Sequence, residues 1–416
     1  MMIRRNWKIS VLGAALALAL PAVASAQMSR VEGMALQGDF IKDWSGIFTY
    51  SSQVANVGNL VYGELGNVTS PPVTFDRSVG AVVGNLWEGR LGTWAVHLRE
   101  QAPNLGQGDA GSNGAPGNLG SDPNIHTSES FDIQWGKKFG TTSLGLRLNR
   151  SNTELKTTTG GVITNFEFDN LADPNRTRNN MGIGAGVGFE VSPTSNIEVG
   201  LLYQNRSWLL DVPGLRGEED GSAAYMLAGR AMWQWQPNIM IVPVFKYYNF
   251  DLGEKFTAGT TTTTFDNSRK GWQVGAAGNW TLGSNDLFVF GLNFAQNKLN
   301  QQEDVLGLAL GDTLELTETF TPQLFAALET HVNSWLTLRF GANKGAWQKT
   351  KIEQSNGDKV ELSASTFNMN LGAGLKFGNL QLDAILDNRF PNRLPYFISG
   401  DTTTDMFAKV TATYPF

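Results

Sequence analysis

The sequence contains no cysteine and only three histidines among its 416 residues. Without thiols, the chain can form neither disulfides nor thiolate metal sites. His97, His126 and His331 do not have the spacing of metal ligands. Nucleophile-elbow, phosphate-loop and dinucleotide-binding motifs are also absent from the sequence. These absences argue against the common metal- and nucleotide-dependent enzymes, and we expect no catalytic residues, no cofactor and no metal.

Long apolar runs are missing as well. No stretch after residue 26 reaches 18 consecutive apolar residues, so no transmembrane helix is predicted. Near the start, three basic residues precede a mostly apolar run from Ile9 to Leu20, and Ala24-Ser25-Ala26 precedes Gln27. This order predicts a secretory (Sec) signal peptide over residues 1–26. The net charge of −6 argues against a nucleic-acid partner.

What the chain has in abundance suits strands and tight turns. It contains 47 glycines and 24 phenylalanines against 15 prolines. Beyond residue 58, apolar and polar residues alternate with the period of a β-strand. Such segments are found at 59–66, 77–87, 91–101, 129–138, 141–155, 177–190, 196–208, 221–235, 239–251, 268–281, 286–299, 316–331, 335–350, 366–377, 380–388 and 402–416.

The connections between these segments alternate in length. The long ones are 67–76, 102–128, 156–176, 209–220, 252–267, 300–315, 351–365 and 389–401, whereas the intervening ones have two to four residues. Short turns on one side and long loops on the other are typical of an up-and-down barrel in the bacterial outer membrane. The sequence therefore predicts an all-β fold over residues 59–416. This is a transmembrane antiparallel barrel of about sixteen strands, with fourteen as the second interpretation.

The alternation also assigns the two faces of each strand. In segment 141–155, Leu144, Leu146 and Leu148 share one face, and Arg147 lies on the other. A polar interior fits a wet lumen, in which rings of charge select ions and orient solutes. The lumen-lining candidates are Arg99, Asp132, Arg147, Glu198, Arg206, Arg230, Lys246, Glu329, Arg339, Lys376, Asp383, Asp387 and Lys409.

The last eleven residues, Met406 to Phe416, form an alternating strand that ends on an aromatic residue. With Tyr414 two residues before Phe416, this end resembles the carboxy-terminal signal of bacterial outer-membrane proteins. The resemblance implies recognition by the barrel-assembly machinery and a location in the cell outer membrane.

Residues 27–58 show no clear alternation and are too apolar to remain unpacked. This region resembles the segment ahead of the barrel in the FadL and PorV-type outer-membrane families, where it forms a hatch inside the barrel. Tyr50-Ser51-Ser52 stands at the place of those families' Asn-Pro-Ala, and FadL barrels have fourteen strands. The resemblance implies a hatch-like segment packed in the lumen, with Met34, Trp44, Ile47, Phe48 and Tyr50 as hatch candidates. A tail packed elsewhere is the alternative.

Three functions remain open at this point. The first is a porin-like channel for passive diffusion of small solutes, tuned by the charged interior. The second is FadL-like uptake of hydrophobic compounds gated by the hatch, and the third is a non-conducting scaffold or partner-binding barrel. Outer-membrane lipid and lipopolysaccharide are expected partners in each case. The substrate, the lumen radius and the oligomeric state are left open.

Overall fold

The structure is a computed structural model that describes residues 29–66, 77–84, 86–99, 130–155, 176–212, 215–220, 223–251, 253–283, 285–301, 314–354, 359–386 and 407–416. The predicted signal peptide over 1–26 and the candidate Asp387 lie outside these residues. Within them, no helix is long and apolar enough to cross a membrane. The helices are α1 (Ser29–Gly33) and three short 3-10 helices, Gly38–Phe40, Trp44–Phe48 and Ser51–Asn56.

Nineteen strands account for most of the described chain. Their bounds are β1 Leu60–Gly66, β2 Ser78–Val83, β3 Thr93–Arg99, β4 Ser130–Phe139, β5 Thr142–Leu155, β6 Arg176–Ser192, β7 Ser195–Val212, β8 Leu215–Glu219, β9 Ala223–Gln236, β10 Ile239–Asp251, β11 Glu254–Ala258, β12 Thr261–Phe265, β13 Ser268–Leu282, β14 Asp286–Gln301, β15 Leu314–His331, β16 Leu336–Gln354, β17 Lys359–Phe377, β18 Leu380–Leu386 and β19 Phe407–Pro415.

The strands form one closed antiparallel ring. β1 pairs with β2 on one side and with β19 on the other, from Leu60 opposite Pro415 to Gly66 opposite Lys409. β7 pairs directly with β9, and β10 directly with β13, so β8, β11 and β12 lie outside the ring. The ring therefore has sixteen strands, as predicted from the alternation, and the second interpretation of fourteen is wrong.

The three extra strands correct two predicted loops. β8 pairs antiparallel with the end of β7 and with β11, and β11 pairs with β12, within the connections 209–220 and 252–267. The β11–β12 hairpin turns at Gly259, where φ is +60°, a left-handed conformation that glycine adopts without strain. These connections were expected to be loops because a five-residue strand carries too few alternations to stand out.

Two predicted boundaries were also wrong. β16 continues to Gln354 and β17 begins at Lys359, so the predicted connection 351–365 shrinks to 355–358. The predicted strand over 77–87 ends at Val83, because the chain turns through Trp87 and Glu88 at φ +49° and +59°. We call the end of the barrel with the short connections the turn end and the opposite end the loop end.

Burial alternates along the strands and separates two faces. β3 alternates strictly, with Ala95, His97 and Arg99 buried and Val96 and Leu98 about half exposed. The exposed face of the other ring strands is similarly apolar, as at Leu146, Ile183, Phe245 and Phe340, whereas many buried positions are polar. A soluble barrel would show the reverse pattern, so the outer face is built to meet lipid.

Candidate functional site

The inward face carries most of the predicted charged residues. Ten of the thirteen lumen-lining candidates have buried side chains, namely Arg99, Asp132, Arg147, Glu198, Arg230, Lys246, Glu329, Arg339, Asp383 and Lys409. Lys376 is exposed near the turn end, and nothing is described of the Arg206 side chain. The buried candidates do not stand free, because ion pairs and hydrogen bonds engage them. Whether they line a conduit stays a prediction.

Residues 29–58, which we call the N-terminal segment, fold into a compact chain of short helices. Asp43 caps the second 3-10 helix by accepting a hydrogen bond from the backbone N–H of Ser45 at 3.0 Å. Of the hatch candidates, Met34, Ile47, Phe48 and Tyr50 are fully buried, and Trp44 is half-buried. A segment of this length has too few residues to bury them against itself, and the strands supply the remaining contacts.

A buried ionic cluster holds the middle of the segment. The Nη1 atom of Arg230 on β9 donates to the backbone carbonyls of Gly38, Asp39 and Ile41 at 3.1–3.4 Å. Its Nε donates to Glu198 at 2.7 Å, and Glu198 accepts a further hydrogen bond from Gln53. One arginine thus joins strands β7 and β9 to the backbone of the segment.

Asp39 and Tyr50 form the second half of this cluster. Asp39 pairs with Lys246 on β10 and accepts a hydrogen bond from the Tyr50 hydroxyl at 3.1 Å. Cζ of Arg230 lies 4.4 Å from the centre of the Tyr50 ring, a cation–π contact. Burial raises the pKa of Tyr50 well above its ordinary value, and the charge of Asp39 adds to the effect, so the hydroxyl stays protonated.

The ring of Phe48 lies among the polar side chains of β3 and β5. Cζ of Arg99 is 4.0 Å from the ring centre, and the His97 ring is 4.7 Å away. Arg147 donates to the Phe48 carbonyl at 2.8 Å and pairs with Asp132 at 2.8 Å. The charge of the buried Asp132 carboxylate is thus balanced by two arginines, and both arginines also contact the N-terminal segment.

A third network lies at the turn end. Arg30 donates two hydrogen bonds of 2.9 Å to Glu329 on β15 and one of 2.9 Å to Asp43. Arg339 pairs with the same Glu329 at 2.6 Å and with Asp383 at 2.7 Å. Burial alone would lower the pKa of Arg30, but its hydrogen bonds and charge interactions with Glu329 and Asp43 raise it above the ordinary value.

Helix α1 is attached to β17 and β19 by polar contacts. Lys409 pairs with Glu32 at 3.3 Å, and Asn370 donates to the Glu32 carbonyl at 2.7 Å. The hydroxyls of Ser29 and Thr411 are 2.8 Å apart. On other sectors the contact is apolar, as where the Phe40 ring lies 4.7 Å from Phe325 and Trp44 lies 4.8 Å from Tyr62.

Glycines on the strands form seats for the backbone of the segment. A Cβ placed on Gly341 would lie 1.6 Å from the Met34 carbonyl oxygen, and one on Gly145 would lie 2.0 Å from that of Ser51. Gly200 has the same relation to Thr49, at 2.1 Å. These strand positions therefore admit the segment only because they carry no side chain.

Taken together, these contacts come from strands spread around the ring. The strands that approach the N-terminal segment are β1, β3, β4, β5, β6, β7, β9, β10, β13, β15, β16, β17, β18 and β19. Sequence reasoning singled out the charged wall residues but missed Gln53, Tyr62 and the glycine seats. Within the sequence these residues follow no recognisable pattern, because their role depends on contacts with a segment that is distant in the chain.

A separate apolar patch lies on the inward face closer to the loop end. It consists of Leu202, Ala224, Met226, Tyr248 and Phe250 on β7, β9 and β10, all buried. The aromatic rings of Tyr248 and Phe250 stack at 5.2 Å. Elsewhere, Phe325 packs against Phe40 of the N-terminal segment, whereas Phe407 on β19 is 37% exposed.

Three cavities adjoin these elements. Two at the turn end, of about 640 and 570 Å³, share Arg30, Asp43 and Trp44 in their lining. The third, of about 930 Å³, is lined by the inward-facing Ser78 and Arg99 and by the outward-facing Val79 and Leu98. That cavity therefore touches both faces of the wall at β1–β4 and β19.

The described residues hold no group of three histidine or acidic side chains arranged for a metal ion. His97 and Asp132 are opposite each other in the β3–β4 register, a pair that hydrolases use beside a nucleophile. Here Asp132 is bound by Arg147, and His97 Nδ1 lies 3.0 Å from the Tyr62 hydroxyl. In the described part of the chain, His97 and Asp132 are thus engaged by Tyr62 and Arg147.

Comparison with known proteins returns loose similarities. No family model and no curated protein matches the chain. A FadL homologue from Pseudomonas aeruginosa is 11% identical, with a TM-score of 0.44 over 94% of this chain and 98% of that one. The CymD monoaromatic hydrocarbon channel is 10% identical (TM-score 0.41, 94% and 98% coverage). The toluene transporter TodX from Pseudomonas putida is 8% identical (0.40, 93% and 96%).

The copper transporter OprC is 13% identical with a TM-score of 0.39, and this chain spans 60% of its length. At such identities and TM-scores these similarities assign neither a family nor a function. The barrel fold rests on the strand register of the chain itself.

Proposed function

We propose that this chain is an outer-membrane channel for small hydrophobic compounds, held closed by its N-terminal segment acting as a hatch. The observation that carries the proposal is the set of contacts from strands around the whole ring to residues 29–58. A permanently open diffusion pore, the first function considered from sequence, needs an unobstructed passage. We therefore rank it second.

The apolar inward patch supports hydrophobic cargo. Diffusion pores line their interior with polar side chains, yet Leu202, Met226 and Phe250 occupy inward positions of three neighbouring strands. Binding sites for small apolar molecules are mostly apolar, with a few polar groups that fix orientation. The Tyr248 hydroxyl and Arg269, whose Cζ lies 6.0 Å from the ring centres of Tyr248 and Phe250, would supply such groups.

The third cavity supports a route through the side of the wall. An apolar compound released into water on the periplasmic side would lose the favourable free energy of an apolar environment. The cavity adjoins both Arg99 inside and Leu98 outside at the loop-end margin of β2 and β3, where the two strands stay paired. A compound that left the lumen over this margin would pass directly into lipid. We propose that the hatch controls this lateral exit.

A polar diffusion channel remains the second candidate, and one observation favours it. Between the hatch contacts and the loop end, the inward positions of β4, β6 and β14 carry the buried amides Gln134, Asn180, Asn293 and Asn297. If the hatch were displaced, these amides would line a wet surface suited to small polar solutes.

The outer face of the barrel supports a location in the outer membrane. The lipid-facing band, with the predicted signal peptide, supports insertion into the outer membrane. We further propose that the barrel-assembly machinery reads Tyr414 on the last strand and Phe416 directly after it, both exposed. The site lacks the arrangement of a catalytic centre, and we propose no enzymatic activity.

The test compares the full chain with a variant lacking residues 27–57, each in planar bilayers and in cells. We expect no stable conductance steps from the full chain and large steps from the shortened one. Cells that produce the full-length protein, or the shortened protein if it folds equally well, should take up a small aromatic hydrocarbon. Cells that produce neither protein should not.

Each alternative gives a distinct result. Stable steps from the full chain would contradict closure and favour the diffusion pore. A third result is that neither protein conducts although heat-modifiable migration on gels shows correct insertion. This result would favour a non-conducting scaffold. Equal hydrocarbon uptake by cells with and without the protein would contradict the hydrophobic cargo.

A further inference from the structure

The wall between β13 and β17 is taller than a membrane requires. A tilted strand spans the apolar core with about 9–11 residues, whereas β15, β16 and β17 have 18, 19 and 19. On β13 the outward face runs from Trp280 through Val274 to Trp272 and then changes to Lys270. The apolar band therefore ends at Trp272, and the strands continue beyond it towards the loop end.

Lysines occupy the outward positions just beyond this edge. The strand register places Lys270 beside Lys298, Lys298 beside Thr317, and Thr317 beside Lys351. Neighbouring strands are about 4.8 Å apart, so these residues form one row across four strands. Lys349 lies two residues closer to the apolar band on β16, and Lys344 donates to Ser365 at 3.0 Å.

The patch keeps a positive balance despite its internal ion pairs. Lys298 pairs with Glu315 at 2.7 Å, and Lys351 pairs with Glu353 at 2.9 Å. At this height five ammonium groups face four carboxylates, namely Lys270, Lys298, Lys349, Lys351 and Lys359 against Glu315, Glu353, Glu361 and, diagonal to Lys270 on β10, Asp251. In the rest of the described wall, outward positions near the loop end include both Arg150 and Asp211, and no similar row of lysines occurs there.

We propose that this lysine row binds the phosphates of lipid A, the anchor of lipopolysaccharide in the outer leaflet. The row stands at the height of the headgroups, next to the aromatic residues that mark the interface. Lipid A carries phosphorylated sugars above several acyl chains. Ammonium groups are suited to phosphate oxygens as point charges, while Trp272, Trp347 and Phe367 lie below for the acyl chains.

A contact with a second copy of the chain is the competing use of this surface. Lysine and glutamate are depleted in the cores of protein interfaces. A row of exposed lysines is therefore a poor match for such a contact, and charge complementarity favours an anionic lipid. This inference does not depend on the cargo, because it concerns only the outer surface.

The test titrates the full chain, in neutral detergent, with diphosphoryl lipid A and with phosphatidylcholine, and counts bound lipids by native mass spectrometry. The triple variant Lys270→Gln, Lys298→Gln, Lys351→Gln removes the row. Surface ammonium groups attract anionic lipids, and the variant removes three of them. We therefore expect lipid A binding to weaken at least about tenfold and phosphatidylcholine binding to stay unchanged.

The matched control removes three positive charges at the turn end, by Arg90→Gln, Lys137→Gln and Lys138→Gln, and should bind lipid A like the unaltered chain. Equal loss in both triple variants would show only a net-charge effect and overturn the proposal. Unchanged lipid A binding in the row variant would also overturn it, as would a change of oligomeric state alone. Far-ultraviolet circular dichroism and heat-modifiable migration verify that each variant is folded.

Discussion

Arg230 connects the N-terminal segment to two strands of the wall. Its guanidinium reaches three backbone carbonyls of the segment and Glu198 in the opposing strand at once. All these groups are buried, so each charge or dipole left without its partner would retain its full desolvation penalty. The arginine therefore fixes both the position and the depth of the segment.

Replacing this side chain should loosen the hatch selectively. In Arg230→Met, the loss of the pair should destabilise docking of the segment by about 3–5 kcal/mol, because Glu198 becomes an unpaired buried charge. Hydrogen exchange followed by mass spectrometry would show faster exchange over residues 38–56 and little change in β16 or β17.

A second variant separates this charge effect from lost packing. Adding Glu198→Gln to Arg230→Met should recover part of the protection, since the stranded carboxylate is gone. Arg150→Met, at an outward position of β5, provides the matched control and should exchange like the unaltered chain. Similar exchange in the Arg230 and Arg150 variants would contradict the role assigned to Arg230.

At the scale of elements, the N-terminal segment fits because the strands carry glycine at the positions where its backbone comes closest. The segment makes backbone contact with Gly145 on β5, Gly200 on β7 and Gly341 on β16. Glycine weakens a strand interior, so these positions carry a cost that close approach of the hatch offsets. The wall and the hatch are consequently matched in shape as well as in charge.

A single methyl group at such a seat should displace the segment without opening the ring. Gly341→Ala should raise the rate of tryptic cleavage after Arg30 and Lys42 about tenfold or more, because overpacking costs about 1–3 kcal/mol. The measurement is limited proteolysis of the folded protein in detergent, read by mass spectrometry.

Gly63→Ala on β1 is the control, because a Cβ there meets nothing within 4 Å. It should be cleaved at the rate of the unaltered chain. Resistance of Gly341→Ala to trypsin, in a correctly inserted barrel, would argue that the segment does not need this close seat.

For the whole molecule, the question is whether passage requires the hatch to leave its seat. The absence of cysteine makes a direct test available, since any introduced pair is the only source of a disulfide. Ser29 on α1 and Thr411 on β19 already bring their hydroxyls to 2.8 Å, close enough for a short covalent bridge after substitution.

We expect the variant Ser29→Cys/Thr411→Cys to lose hydrocarbon uptake when oxidised and to regain it after reduction. The bridge ties α1 to the wall, so the start of the hatch can no longer move away from β17–β19. Uptake of a labelled aromatic hydrocarbon by cells, with and without reductant, is the measurement. The two single-cysteine variants should be insensitive to oxidation. Unchanged uptake by the oxidised double variant would locate the passage elsewhere.

The sequence by itself determined the ring and its faces. Alternation at two-residue spacing is a local property, and it was enough to predict sixteen strands and to place Arg147 inward and Leu146 outward. It misjudged elements whose boundaries depend on a partner strand. β16 and β17 extend each other through the pairing of Glu353 with Lys359, and β8 exists only through β7 and β11.

Only the tertiary structure decided what the inward charges do. From sequence, Arg230, Glu198 and Lys246 were lumen-lining candidates without assigned partners. Their partners Asp39, Gln53 and the carbonyl of Ile41 lie about 150 to 200 residues away in the chain. No periodicity encodes such a separation, because these contacts depend on how the closed ring places residues that are distant in sequence. The same closure brought scattered strand glycines into close contact with the backbone of the N-terminal segment.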